Sequence, residues 1–271
     1  MKVVLFCGGM GFRLRDSVDQ LPKPMIEVGD RPILFHIMKY YASFGHTDFI
    51  LCLGYKSHVI KEYFLKYRDT LQGAFVLSNG GQTVEVLHND IQDWTITFVD
   101  TGLHSSIGER LKAVQRYVQG DEVFLANYAD VLTDAPLPAM IANLEARNKI
   151  ASFLCVRPRY TFHIVSLNRE QAVTEIHDVS QSDIWINGGY FVLRKEIFDY
   201  IRPGEDLVAQ AFLRLVADEQ LLAYQHEGFW APMDTFKDQQ QIQSMFEIGR
   251  RPWAVWENNQ TDQRVVSSVA P

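Results

Sequence analysis

Two short apolar runs, Lys2 to Cys7 and Asp48 to Leu53, each break into glycine, and each is followed at a short distance by a stretch with helical spacing. That alternation constrains the fold more than any other feature of the chain. An apolar run of this length without polar alternation reads as a strand buried on both faces, the kind found in parallel sheets. Between the two runs, Pro32 to Phe44 reads as a helix: Pro32 suits a first-turn position, Ile33, Leu34, Ile37, Met38 and Tyr41 form a stripe, and Gly45 caps the end. After Gly54-Tyr55-Lys56 a second helix carries Val59, Ile60, Tyr63, Phe64 and Tyr67. The order is β-α-β-α, which winds right-handedly into a parallel sheet.

Glu122 to Asn127 supplies a further buried strand, preceded by a helix with Leu111, Val114 and Val118 on one face. Short strands at Ala74 to Leu77, Thr83 to Leu87 and Thr95 to Val99, divided by Asn79-Gly80-Gly81 and a polar segment, are expected to form a hairpin insertion near 74–99. From Ala151 the pattern changes. Ala151 to Val156, Phe162 to Leu167, Ala172 to His177 and Trp185 to Leu193 are strands with little helix between them, expected to make a mixed sheet over the other half of a cleft. Helices near 196–201 and 206–217, a strand at Leu221 to His226 and a closing helix over 236–249 follow, with Trp253 and Trp256 packing it down. We therefore expect one domain over 1–257, with halves 1–150 and 151–257, and a flexible, polar tail over 258–271.

The chain has 271 residues and a formal net charge of −7, which disfavours nucleic-acid binding through a broad basic face. No stretch has the length of a membrane span and no signal segment precedes the first strand, so a cytoplasmic location is expected. Cys7, Cys52 and Cys155 sit in apolar runs, as small core residues do. An acidic chain that handles phosphate needs local cations.

Such cations cluster early. Gly8, Gly9, Met10, Gly11, Phe12 and Arg13 follow the first strand, and Lys23 stands between Pro22 and Pro24. Glycines let backbone N–H groups approach an anion, Arg13 offers a fixed fork of donors, and Lys23 on a stiffened backbone offers a point charge. Asp130 lies just beyond the end of a central strand, where open α/β sheets bind ligands, which makes it a candidate metal ligand. Asp134 is either its competitor or a helix cap. Mg²⁺ takes one or two carboxylates with phosphate oxygens and water, so a second carboxylate is sought elsewhere. Asp234, before the closing helix, is that carboxylate or an N-cap. Arg110, at a helix first turn, either meets an anion or faces solvent. Asn187-Gly188-Gly189 within a strand marks either a ligand approach or a bend.

GGMGFRL followed by PKPM resembles the signature loop of the sugar-1-phosphate nucleotidyltransferase family, usually GGxGTRL then PKPM. KPMIEVGDRPILFHIMKYY, LGYKSHVIKEYF, VDTG, GERLKAV, INGGYFVL, EGFWAPMDT and RRPWAVWE are similar, in order, to its glucose-1-phosphate cytidylyltransferase branch. The resemblance implies an α/β fold, a Rossmann-like, mostly parallel mixed sheet flanked by helices with a β-rich sugar-binding half. It implies a Mg²⁺-dependent reaction of a nucleoside triphosphate, CTP in this branch, with a sugar 1-phosphate to give an NDP-sugar and pyrophosphate. By position it implies nucleotide contacts from Gly8 to Arg13, Lys23, Ser105, Arg110 and Ala129, with Arg13 and Lys23 catalytic. It pairs Asp130 with Asp234 as metal ligands. Asn187, Gly188 and Glu175 are the candidate sugar-binding residues, and a homo-oligomer is expected.

The chain departs from the branch at Phe12, where threonine is usual, and at Ala129 and Val131, where glycines flank the aspartate. The Glu-Lys-Pro sugar motif is replaced by the stretch Thr174 to Val179, and Tyr160 to His163 replaces an FGAL-like segment. These changes cluster on the sugar side and leave two other readings open, transfer to a different phosphorylated acceptor and a non-catalytic sensor of nucleotide or sugar phosphate. A nicotinamide oxidoreductase would need an acidic residue ending the second strand, where Lys56 stands instead.

Overall fold

The computed structural model describes residues 1–9, 21–67, 75–86, 91–158 and 162–257. Residues 10–13 of the glycine loop, residues 160 and 161, and the 258–271 tail lie outside the described residues.

The chain opens with β1 (Lys2–Phe6), a small ribbon of β2 (Glu27–Val28) and β3 (Arg31–Pro32), then α1 (Ile33–Ser43), β4 (Asp48–Leu53) and α2 (Ser57–Leu65). A hairpin of β5 (Phe75–Ser78) and β6 (Thr83–Val86) precedes β7 (Thr95–Asp100), α3 (Ile107–Ala113), α4 (Gln115–Val118), β8 (Val123–Tyr128), β9 (Val131–Thr133) and α5 (Leu137–Arg147). The second half runs through β10 (Ala151–Val156), β11 (His163–Leu167), β12 (Val173–Asp178), β13 (Ile186–Arg194) and α6 (Ile197–Tyr200). A π-turn at Leu207–Ala211 leads into α7 (Phe212–Ala217), β14 (Leu221–His226), β15 (Trp230–Pro232) and α8 (Phe236–Glu247).

One seven-stranded sheet in the order β14-β10-β13-β8-β1-β4-β7 organises all of this. β13 runs antiparallel to both neighbours, and the other pairings are parallel. Alternation along the central strands divides the core in two. Val3, Leu5, Phe49, Leu51 and Leu53 point to the face covered by α1, α5 and α8, with Trp253 beneath them. Val4, Phe6, Ile50 and Cys52 point to the face covered by α3, α6 and α7. With both faces packed, every residue of these strands can be apolar, and this is why the two runs show no polar alternation.

Two expectations change. The hairpin insertion is confined to β5 and β6, joined through Asn79, Gly80 and Gly81 in the left-handed region. Thr95 to Asp100 instead forms the edge strand β7, parallel to β4, with Trp94 against Phe49 and Phe35 locking its start. Among the described residues the second half does not form a separate mixed sheet over the cleft. β10, β13 and β14 extend the main sheet because β13 pairs with β8 through Tyr190 to Arg194, while β11 and β12 stand apart as a two-stranded hairpin and β15 pairs with β9 of the first half.

Candidate active site

Parallel strands end along one edge of the sheet, and the side chains singled out in the sequence gather there. Beyond β8 the chain turns at Ala129 and Asp130 and enters β9, which pairs antiparallel with β15 in the register Val131↔Pro232. Met233 N–H donates to the Asp130 carbonyl at 2.9 Å, so Asp234 emerges beside Asp130. A ribbon of three residues a side thus joins two carboxylates from opposite halves of the chain. Thr235 caps α8 in a capping box with Asp238, and this leaves the Asp234 carboxylate free to turn towards the cleft.

Lys23 Nζ lies 2.5 Å from Asp130 Oδ2 and 2.5 Å from Asp234 Oδ1. Its position is set by the short 3-10 turn Lys23–Met25, entered from Pro22 in the extended region and anchored by buried Pro24 and Met25. Burial opposes the lysine's charge, but the two carboxylates outweigh it and hold its pKa above the ordinary value. Burial likewise pushes the Asp130 carboxyl up, against the pull of Lys23. The three groups together carry one net negative charge. An ammonium standing between both carboxylates marks this as a cation position, and two oxygen donors suit a hard divalent ion that completes its shell with phosphate and water. Among the described residues no cluster of three or more His, Cys, Asp or Glu side chains offers an all-protein metal site.

Arg110 is buried, 3% exposed, at the base of the same cleft. A capping box of Ser106 and Glu109 starts α3 and turns Arg110 inward. Its Nη1 donates to the Leu53 carbonyl and Thr101 Oγ1, and its Nη2 to the carbonyls of Gly8 and Leu103. One guanidinium thereby ties together the ends of β1, β4 and β7. The glycines around it have a steric reason: a Cβ on Gly8 would sit 2.0 Å from Nη1, and one on Gly54 would sit 2.7 Å from the Gly8 carbonyl. The structure places Arg110 beneath Gly8 as a brace. Ser105 also bonds to the protein, its hydroxyl donating to the Thr101 carbonyl at 2.5 Å.

Above this base is a cavity of about 510 Å³ lined by Gly9, Lys23, Ser105, Arg110, Ala129 and Asp130, all expected site residues, and by others that the sequence did not single out. Among the latter are Phe6, His104, Ile107, Tyr128 and Asp206. Tyr128 ends β8 two residues before Asp130, a position that signals the site. Its hydroxyl pKa is pushed up to about 12, first by burial and then by the Asp206 carboxylate, while a hydrogen bond with Asn187 opposes the shift. Met10, Gly11, Phe12 and Arg13 lie outside the described residues.

The sugar-side candidates stand outside the cavity lining, with Asn187 hydrogen-bonded to the Tyr128 hydroxyl. Asn187 Oδ1 accepts from Gly189 N–H at 2.9 Å, and the Gly188 carbonyl accepts from Trp230 Nε1 at 2.9 Å. Gly189 has φ +78°, and a Cβ on Gly188 would press on Leu154, so the glycine pair marks a bend in β13 and close packing. Glu175 is on the exposed β11–β12 hairpin beside His177. None of the three lines the cavity. Asp134 is neither ligand nor cap: it accepts from His226 Nε2 and Phe229 N–H, both at 2.7 Å, and so fixes the turn into β15. Val131, a departure from the family, points into the core, and only Ala129 reaches the cavity wall.

Residues 2–246 match the family model described as nucleotidyl transferase, and the chain belongs to that family. A glucose-1-phosphate cytidylyltransferase of Salmonella typhimurium is 38% identical over 95% of this chain and 100% of its own length. A probable glucose-1-phosphate cytidylyltransferase of Bacillus subtilis is 35% identical over 94% of this chain and 100% of its own. Among solved structures, a UDP-glucose pyrophosphorylase of Acinetobacter baumanii covers 97% of this chain and 99% of its own with a TM-score of 0.65 at 17% identity, an agreement in fold.

Proposed function

We propose that this chain transfers a cytidylyl group from CTP to glucose 1-phosphate, giving CDP-glucose and pyrophosphate. The observation that carries the proposal is the convergence of Lys23 on Asp130 and Asp234 at the mouth of a strand-end cavity. The two cytidylyltransferases, similar over their full lengths, supply the substrates.

In this reading a phosphate oxygen of glucose 1-phosphate attacks the α-phosphorus of CTP in line, the bond to the bridging oxygen breaks, and pyrophosphate leaves with the electron pair. The acceptor is already ionised, so no general base is required. Catalysis is alignment and charge neutralisation. The backbone at Gly8 and Gly9 faces the phosphates with Arg110 holding it from below, and Lys23 and Arg13 meet the negative charge. Ser105 and Ala129 line the nucleotide's place. The family generally depends on a divalent metal. With Asp130 and Asp234 as its protein ligands, Mg²⁺ would neutralise the charge that grows on the leaving pyrophosphate.

A second reading keeps the mechanism and moves the acceptor. It is favoured by the place of Glu175, which stands outside the cavity on a hairpin where the family carries its sugar motif. Pyrophosphate release, crossing four nucleoside triphosphates against a panel of sugar 1-phosphates, tests both. Release with CTP and glucose 1-phosphate is the expected result, release with CTP and another acceptor selects the second reading, and nucleotide binding without release anywhere selects a sensor.

We also propose a homo-oligomer. Phe75, Val76 and Leu77 on β5 and Val165, Leu167, Val173 and Ile176 on the β11–β12 hairpin are exposed apolar side chains, which support the reading. Light scattering should give a mass at or above twice 31.1 kDa, and a monomer mass would refute it. No described helix is long and apolar enough to cross a membrane.

A further inference from the structure

Asp206 lines the same cavity as Lys23 and Asp130, and no role proposed above uses it. It precedes the π-turn Leu207–Ala211, whose Val208 and Ala209 N–H groups donate to its Oδ1 at 2.9 and 3.0 Å. Its second oxygen, Oδ2, makes no hydrogen bond among the described residues. Most other polar groups on the wall are committed to the protein. Arg110 bonds to the strand ends, Ser105 to Thr101, Ser106 to Glu109 and Glu205, Lys23 to the aspartates, and Tyr128 to Asn187.

A carboxylate is an unexpected lining for a cavity that receives a polyphosphate. Asparagine or serine would cap the turn equally well without the charge. What an ionised carboxylate adds is acceptor capacity with no donor, so it welcomes N–H and O–H groups and rejects carbonyl and phosphate oxygens. Cytosine presents an exocyclic amine where uracil and thymine present a carbonyl. The sugar offers only hydroxyls as donors of the same kind.

We propose that Asp206 is a specificity-determining residue, accepting a hydrogen bond from a substrate N–H or O–H donor, the cytosine amine first among them. The inference rests on the nucleotidyl transfer proposed above. Asp206→Asn tests it, because asparagine keeps the cap but also presents an NH₂ group that suits a carbonyl. Nucleotide affinity is read by calorimetry with CTP and UTP in the presence of Mg²⁺, and kcat/KM is read separately for each nucleotide and for glucose 1-phosphate. A fall of about tenfold or more in the CTP to UTP preference, with an unchanged melting temperature, is the result expected for a base amine. An unchanged preference with a similar rise in KM for glucose 1-phosphate assigns the donor to a sugar hydroxyl. If neither preference nor KM moves in Asp206→Asn and Asp206→Ala, the residue is only a cap and the proposal is overturned. Should the wild type bind CTP yet release no pyrophosphate, the function proposal fails, while the binding preference still decides the role of Asp206.

Discussion

Replacing Gly8 by alanine removes no group that touches a ligand, yet the structure predicts a large effect. The new Cβ would lie 2.0 Å from Arg110 Nη1, 2.3 Å from Cζ and 2.7 Å from Nη2, so the guanidinium must leave its place. A long side chain can swing aside, but this one is 3% exposed and its four hydrogen bonds hold the Leu53, Gly8 and Leu103 carbonyls and the Thr101 hydroxyl. Hydrogen bonds from a charged donor are worth about 1.5–3 kcal/mol each, so losing two of them costs about 3–6 kcal/mol. For a domain of this size that corresponds to a fall in melting temperature on the order of 10 °C. Gly9→Ala is the internal control. Among the described residues nothing lies within 4 Å of its Cβ, so its melting temperature should stay within about 2 °C of wild type. Gly9 lines the cavity, so the added methyl group should instead raise KM for the nucleotide. Differential scanning calorimetry separates the two variants, and equal melting temperatures for Gly8→Ala and wild type would refute the bracing role of Arg110.

Other substitutions probe the charged pole and the entry to α3. Asp130→Ala and Asp234→Ala should each lower kcat by about 10²–10³-fold with folding retained by circular dichroism, and most activity surviving in either would remove that residue from the site. Lys23 has a raised pKa in the folded state, so its stabilising contribution is fully present below the ordinary lysine value of 10.5 and is lost as pH rises through the higher folded value. The melting-temperature gap between wild type and Lys23→Met should therefore stay level from neutral pH to about 10.5 and close above it, whereas a gap closing near neutrality would contradict the ion triad. Ser106→Ala removes the cap of α3 and should cost about 1 kcal/mol in urea unfolding, with no loss meaning that the capping box contributes little.

Where the sequence was informative, burial on two faces made it so. β4 and β10 begin and end where the apolar runs do, because a strand packed between helix layers is apolar along nearly its whole length and breaks at glycine or at a polar turn, whereas β14, an edge strand ending in Gln225 and His226, matches its expected bounds without such burial. β7 reads as part of the hairpin for the converse reason: as an edge strand it alternates Thr95, Thr97 and Val99 with Ile96 and Phe98, a pattern shared by any hairpin. The conjunction of Asp130 with Asp234 is carried by β9 and β15, too short to leave a periodic signal, so motif resemblance found it and spacing did not. Arg110 shows another limit. Its place in the first turn of α3 is legible, but its inward direction depends on Gly8 and Gly54 leaving room, a relation across three strands that no local pattern carries. Asp206 reads as one more helix cap, and only the cavity wall distinguishes it.

The central claim is that an oxygen of the sugar phosphate attacks the α-phosphorus of CTP at the pole formed by Lys23, Asp130 and Asp234. Glucose 1-phosphate labelled with ¹⁸O throughout its phosphate, incubated with CTP, Mg²⁺ and the enzyme, tests it by mass spectrometry of the products. The account predicts CDP-glucose that retains the whole label and pyrophosphate that carries none. Label in the pyrophosphate, or a labelled product without cytidine, would contradict it.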